Sequence, residues 1–227
     1  MDTIHSVNGT PQPRIFPLGA IAGDVIGSVH EHAGTKTTDF PLFTPQSRFT
    51  DDSVLTVAVA EVLATGGSYR DSIQRWAQAY PHAGYGGAFR KWMWSAAAEP
   101  YGSYGNGSGM RASPVGWASR TLDEVLTEAR RSAEVTHDHP EGIKGAQAVA
   151  VTCQGSVPEA LIALGWEDAV RKAISLGGDA DTLACMAGAV AEAFYGEVPP
   201  AIATEVVVRL DDRIRATIGG FAERFVR

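Results

Sequence analysis

The run from Ser53 to Ala64, Ser-Val-Leu-Thr-Val-Ala-Val-Ala-Glu-Val-Leu-Ala, is apolar almost all the way round a helix. A surface helix shows one apolar stripe. A helix without a polar face must be enclosed by other elements. A second segment, Thr182 to Tyr195, has the same character. Two enclosed helices need a shell around them, and the rest of the chain supplies helical patterns. These are Leu18 to Val29, Ser68 to Tyr80, Ala88 to Ala98, Thr121 to Val135, Glu141 to Thr152, Pro158 to Leu164, Trp166 to Leu176 and Pro200 to Ile218. Strand signals are thin. Thr204 to Leu210 is β-branched, but it lacks turn residues and lies inside the longer helical pattern. The expected fold is all-α, a compact helical bundle.

A chain of 227 residues suits one domain that buries roughly 70–75% of its unfolded surface. That domain is expected over 15–227. Met1 to Arg14 is polar, carries two prolines and lacks an apolar core segment, so it reads as a flexible arm and not as a signal peptide. Glycine is dense between residues 82 and 116. This stretch reads mostly as loop, with turns or a close approach of backbone to a ligand. Trp92, Trp94, Trp117 and Trp166 are expected in the core.

A net charge of −7 argues against sequence-specific nucleic-acid binding and against lying on an anionic membrane. No apolar run approaches the roughly 20 residues that span a bilayer. Cys153 and Cys185 form neither a disulfide framework nor a zinc site. They fit two buried thiols in a reducing cytoplasm. An acidic chain with an anionic substrate would need a local source of positive potential.

Two clusters supply chemistry. Thr50-Asp51-Asp52-Ser53 opens the first enclosed helix, and Gly177-Gly178-Asp179-Ala180-Asp181-Thr182 opens the second. Carboxylates at a helix start can cap free N–H groups and suit the dipole. Capping alone needs one Asp at each start, and unpaired charge against apolar helices is costly. Together the clusters offer an oxygen-only donor set that suits Mg²⁺ or Mn²⁺ and not zinc. Four carboxylates match two ions better than one. Ordinary helix capping and a metal-free acid/base pair are the alternatives.

The order of motifs Gly19-Ala-Ile-Ala-Gly-Asp24-Val-Ile-Gly27, Thr50-Asp51-Asp52-Ser53, Gly105-Asn106-Gly-Ser-Gly-Met110-Arg111, Thr136-His137 and Gly178-Asp179-Ala-Asp181-Thr182 resembles the ADP-ribosylglycohydrolase family. The resemblance implies an orthogonal all-α fold with a binuclear Mg²⁺ or Mn²⁺ site. It implies hydrolysis of the glycosidic bond between ADP-ribose and a protein side chain or small molecule; a non-catalytic ADP-ribose binder is the alternative. By motif match, the metal ligands would be Thr50, Asp51, Asp52, Asp179, Asp181 and Thr182. Glu31, Asp51 and Asp52 would be catalytic, with Glu31 on a flap. Gly84, Gly86, Gly87, Gly102, Ser103, Tyr104, Gly105, Asn106 and His137 would meet the substrate. Asp24 reads as a structural hydrogen-bond hub and His139 as a surface or supporting residue.

Compared with short bacterial members of that family, the chain looks shortened between Ala148 and Cys153, by roughly one or two helices. The shortening bears on turnover, and it leaves a monomer or a homodimer open.

Overall fold

A computed structural model describes residues 17–154 and 165–225. The expected arm, the helix from Pro158 to Leu164 and most of the segment after Cys153 lie outside those residues. Among the described residues the fold is all-α, with eleven α-helices and no strand. They are α1 (Leu18–Gly27), α2 (Asp51–Thr65), α3 (Tyr69–Ala79), α4 (Gly87–Trp92), α5 (Ser113–Ala118), α6 (Leu122–Glu134), α7 (Pro140–Cys153), α8 (Trp166–Ser175), α9 (Ala180–Tyr195), α10 (Pro200–Val207) and α11 (Asp212–Phe225). A 3₁₀ turn covers Asn106–Ser108.

Of the two helices expected to be enclosed, α2 is central, while α9 is buried along one side and ends in the exposed Phe194 and Tyr195. From Asp52 to Ala60 every side chain of α2 is buried, and α1 is buried along its whole length. The packing of α1 against α9 fixes the geometry of everything else. Gly19, Gly23 and Gly27 share one face of α1 because they recur every four residues. A Cβ at Gly23 would overlap the Ala184 carbonyl, one at Gly19 the Gly188 carbonyl, and one at Gly27 the backbone of Ala180 and Asp181. The two helices therefore run antiparallel with backbones in contact. The opposite end of the pair is closed by Glu192. Its Oε2 accepts the Gly19 N–H at 2.8 Å, at the start of a helix whose N-cap, Pro17, contributes no side-chain hydrogen bond. Burial pushes the Glu192 carboxyl up to about 8, against the hydrogen bonds from Gly19 and Leu18 that lower it.

Three expectations need correction. The helical pattern from Pro200 to Ile218 is two helices. The first ends at Val207; Asp211 starts the second by accepting the Ile214 N–H at 2.9 Å, and its carboxylate also accepts the Tyr80 hydroxyl at 2.7 Å. The helix expected from Ala88 to Ala98 ends at Trp92, and α5 occupies part of the expected loop. Trp92 and Trp166 are buried as expected, but Trp94 is 62% exposed and Trp117 is half-buried. Both cysteines are buried and free. No helix of the described residues is long and apolar enough to cross a membrane.

Candidate functional site

The α1–α9 contact places Asp24 of α1 beside Asp181 of α9, and Asp24 in turn holds the start of α2. Its Oδ2 accepts the backbone N–H of Thr50 at 2.8 Å and of Ser53 at 3.0 Å; its Oδ1 accepts the Thr50 hydroxyl at 2.6 Å. The Ser53 hydroxyl also donates to Oδ2. Asp24 is thus the expected hub, joining α1 to the first turn of α2. Burial raises its carboxyl, while the bonds from Ser53 and Thr50 lower it.

This junction delivers Asp52 into the interior. Its Oδ2 accepts the Thr182 hydroxyl at 3.2 Å. Its Oδ1 is buried and has no hydrogen-bond partner. Burial, then the charges of Asp24, Asp51 and Asp181, hold Asp52 well above the usual carboxylate range. Burial and Asp24 push Asp51 up to about 7. Burial first, with Asp179, Asp24 and Glu31 behind it, pushes Asp181 to about 8. Such a group cannot be fully ionised without a nearby cation.

Helix capping accounts for neither cluster. Thr50 is the cap of α2, accepting the Asp52 N–H. Asp179 stands at the cap position of α9 without a side-chain cap bond; instead its Oδ2 accepts from Asn106 Nδ2 at 2.6 Å. The left-handed backbone of Gly177 and Gly178 turns the chain sharply behind it. Carboxylate oxygens of Asp24, Asp52 and Asp181 lie within 4.8 Å of one another, and so do those of Glu31, Asp179 and Asp181. The oxygen-only donors and the orphaned Asp52 Oδ1 fit a hard divalent cation.

All of these acids except Asp24 line a cavity of about 370 Å³. Glu31, Asp51, Asp52, Asp179, Asp181 and Thr182 line it on the acidic side. Gly84, Gly86, Gly87, Ser103, Gly105, Asn106 and His137 complete the expected residues in its lining. Gly84 is held at φ +122°, and a Cβ there would stand 2.9 Å from Asp51 Oδ1, so only glycine lets this loop approach the acid. Three expected residues do not line the cavity. The Thr50 hydroxyl is engaged with Asp24, Gly102 is exposed with its N–H on Asp138 Oδ1 at 2.7 Å, and Tyr104 is 75% exposed against the His139 ring. His139 itself caps α7, accepting the Glu141 N–H.

Arg111 also lines the cavity and is 0% exposed. It forms no ion pair among the described residues, and its Nε and Nη1 have no hydrogen-bond partner. A buried cation of this kind is a local positive potential in an acidic chain. Its place in the Gly-Met-Arg motif was visible in the sequence, but its role was not. Phe89 and Tyr101 supply the aromatic surface of the lining; no tryptophan does.

Comparisons with known proteins bear on the family and the fold. The mouse protein named ADP-ribosylhydrolase ARH3 is 31% identical over 59% of this chain and 46% of its own length. Its human counterpart is 30% identical over 59% and 47%, and the chicken protein 27% over 67% and 72%. The chain thus spans about half the length of the first two. A solved structure described as an ADP-ribosylglycohydrolase-related protein complex superposes with a TM-score of 0.63 at 21% identity, covering 91% of this chain and 96% of that one; this likeness concerns the fold. The family model for ADP-ribosylglycohydrolase matches residues 17–164 and 154–227, two stretches that overlap over 154–164. With both stretches matched, the chain belongs to the ADP-ribosylglycohydrolase family.

Proposed function

We propose that the chain is a metal-dependent hydrolase that cleaves the glycosidic bond between ADP-ribose and a modified side chain or small molecule, releasing ADP-ribose. The observation that carries this reading is the buried Asp52 with its unpartnered Oδ1, set among Asp24, Asp51 and Asp181. Buried acids in such numbers persist where a cation and a ligand repay their cost. The ligands would be Asp51, Asp52, Asp179, Asp181 and Thr182, holding two Mg²⁺ or Mn²⁺, with Thr50 joining them only if its hydroxyl turns away from Asp24. When bound, the ions would supply Lewis-acid attraction for vicinal sugar hydroxyls and neutralise the acids.

The other roles follow from position. Glu31 is exposed beside the acid wall and would take a proton from the attacking water. Asp51 and Asp52 would face the anomeric carbon and stabilise positive charge as the bond breaks. Asn106 holds Asp179 in its orientation. Backbone N–H groups of Gly84, Gly86 and Gly87 suit a diphosphate without side-chain charge, with Arg111 adding positive potential from elsewhere in the same cavity lining. Ser103, Gly105 and Asn106 would meet the distal ribose, and Phe89 or Tyr101 the adenine ring. Gly102 and Tyr104 would contribute only if their loop closes onto the ligand.

The test is ADP-ribose release from arginine-, serine- and O-acetyl-linked substrates with Mg²⁺ or Mn²⁺, repeated with chelator. Release that chelator abolishes is expected. Tight ADP-ribose binding with no release on any of the three linkages would instead make the chain a non-catalytic binder.

A further inference from the structure

Arg111 reaches beyond its own contacts. Its Nη2 donates to the Ser132 carbonyl at 3.0 Å and to the Thr136 hydroxyl oxygen at 2.8 Å. That same oxygen lies 2.7 Å from Nδ1 of His137. A guanidinium can only donate, so the Thr136 oxygen is the acceptor in the first bond. Two proton arrangements then exist for the second. If Nδ1 carries the proton, the hydroxyl oxygen accepts twice and its own hydrogen has no acceptor, at a residue that is fully buried. If Nδ1 is bare, the hydroxyl donates to it and each proton along the relay has an acceptor. A buried donor without an acceptor costs the full desolvation of that group, so the second arrangement is favoured.

We propose that Arg111 is a positioning residue that, through the Thr136 hydroxyl, holds His137 in the tautomer with its proton on Nε2, making it a fixed donor toward an oxygen of the bound nucleotide. The opposite ring edge is free for this. Nδ1 faces Thr136, whereas Cε1 and Nε2 face Gly107, where an added Cβ would stand 3.2 and 3.3 Å away. His137 and Gly107 both line the cavity. Burial and the Arg111 charge push the imidazolium down to about 3, so the ring stays neutral at ordinary pH. The donor then remains the same across ordinary pH, as suits a contact to a phosphate or ribose oxygen. The identity of the ligand rests on the ADP-ribose reading; the tautomer does not.

The experiment uses the full chain labelled with ¹⁵N in its histidines, with the His137 signals assigned by comparison with His137→Gln. In ligand-free protein, long-range ¹H–¹⁵N spectra should show Nε2 protonated and Nδ1 bare. Thr136→Val keeps the side-chain shape and removes the relay, so it should mix or invert the tautomers. Thr136→Ser should restore the wild-type pattern, which a purely structural role for Thr136 would not demand. ADP-ribose titrated by calorimetry should bind Thr136→Val roughly 3–10-fold more weakly than wild type, the worth of one hydrogen bond, and Thr136→Ser about as well as wild type. A proton on Nδ1 in the wild type overturns the proposal, whether or not the Val variant folds. So does a Val variant with unchanged tautomer and affinity. The expected tautomer in a wild type that binds no ADP-ribose would leave the relay standing and overturn the nucleotide as its ligand.

Discussion

At one end of the α1–α9 pair Glu192 is buried, and its carboxylate accepts the Gly19 N–H at the start of α1; at the other end Asp52 and Asp181 are buried as well, and Asp52 Oδ1 accepts from nothing. Helix pair and burial are shared; the difference is the supply of partners. Glu192 fills a capping role that Pro17 leaves open, and the positive end of α1 suits its charge. Asp52 and Asp181 sit near further carboxylates, and no ion pair among the described residues reaches either. One buried acid belongs to the scaffold. The others weaken the ligand-free scaffold, as sites shaped for binding commonly do.

That contrast breaks most visibly at Asp52. Asp52→Asn keeps an acceptor for the Thr182 hydroxyl but removes the charge. Turnover should fall by about 10³-fold or more, since metal-assisted charge stabilisation is worth several kcal/mol. In the presence of chelator its melting temperature should rise by a few degrees, because about 1 kcal/mol or more of like-charge repulsion and desolvation is relieved. Normal turnover together with a lower metal-free melting temperature would place Asp52 with Glu192 on the structural side.

Glu31 sharpens the comparison from the exposed side of the same acid group. Glu31→Gln should reduce turnover by roughly 10²–10⁴-fold, the usual worth of a general base. The melting temperature should stay within about a degree, because the side chain is exposed and its ion pair is with the exposed neighbour His32. A variant with full activity would remove Glu31 from the chemistry.

The contact that sets both ends apart is tested at Gly23. Gly23→Ala forces a Cβ onto the Ala184 backbone, which has no flexible end that could swing aside. Overpacking of this kind costs about 1–3 kcal/mol. The denaturant midpoint should drop accordingly, and metal affinity should drop with it, since the same contact brings Asp24 and Asp181 together. An unchanged midpoint would mean that α1 and α9 can separate freely.

Much of this was readable from residues alone, and the remainder was hidden for definable reasons. The all-round apolarity of α2 predicted its burial from Asp52 to Ala60, whereas α9, read the same way, is buried on the side that meets α1 and leaves Phe194 and Tyr195 exposed. The Asp/Thr pairs at their starts predicted a shared site because both helices had to be central. The break between Val207 and Asp212 was missed because apolar periodicity continues through it, and the Asp211 bond that starts α11 is visible only in the fold. The Gly19, Gly23 and Gly27 spacing was a legible sign of a close helix crossing, but a helix of small residues does not say which partner it meets. Arg111 illustrates the other limit. A lone arginine in a glycine loop reads as surface charge, and only the fold shows it enclosed beneath Thr136 and His137.

The smallest effect belongs to Glu192, and it is a slope rather than an offset. Burial lifts its folded pKa to about 8 from an ordinary value of 4.5. The folded state therefore binds the proton more tightly than the unfolded chain. The stability from this group is fully present below about 4.5 and is lost as pH rises through about 8. Glu192→Gln resembles the protonated carboxyl and cannot titrate, so it should match the wild type near pH 5. By pH 8.5 it should be the more stable of the two, by on the order of 1 kcal/mol or more, since each pH unit by which the folded pKa exceeds the unfolded one is worth about 1.4 kcal/mol. Melting curves of both proteins across that range, with chelator present, measure the difference directly. A constant gap would mean that Glu192 stays ionised throughout, satisfied by Gly19 and the helix end, and the two ends of the pair would then differ even more than burial alone implies.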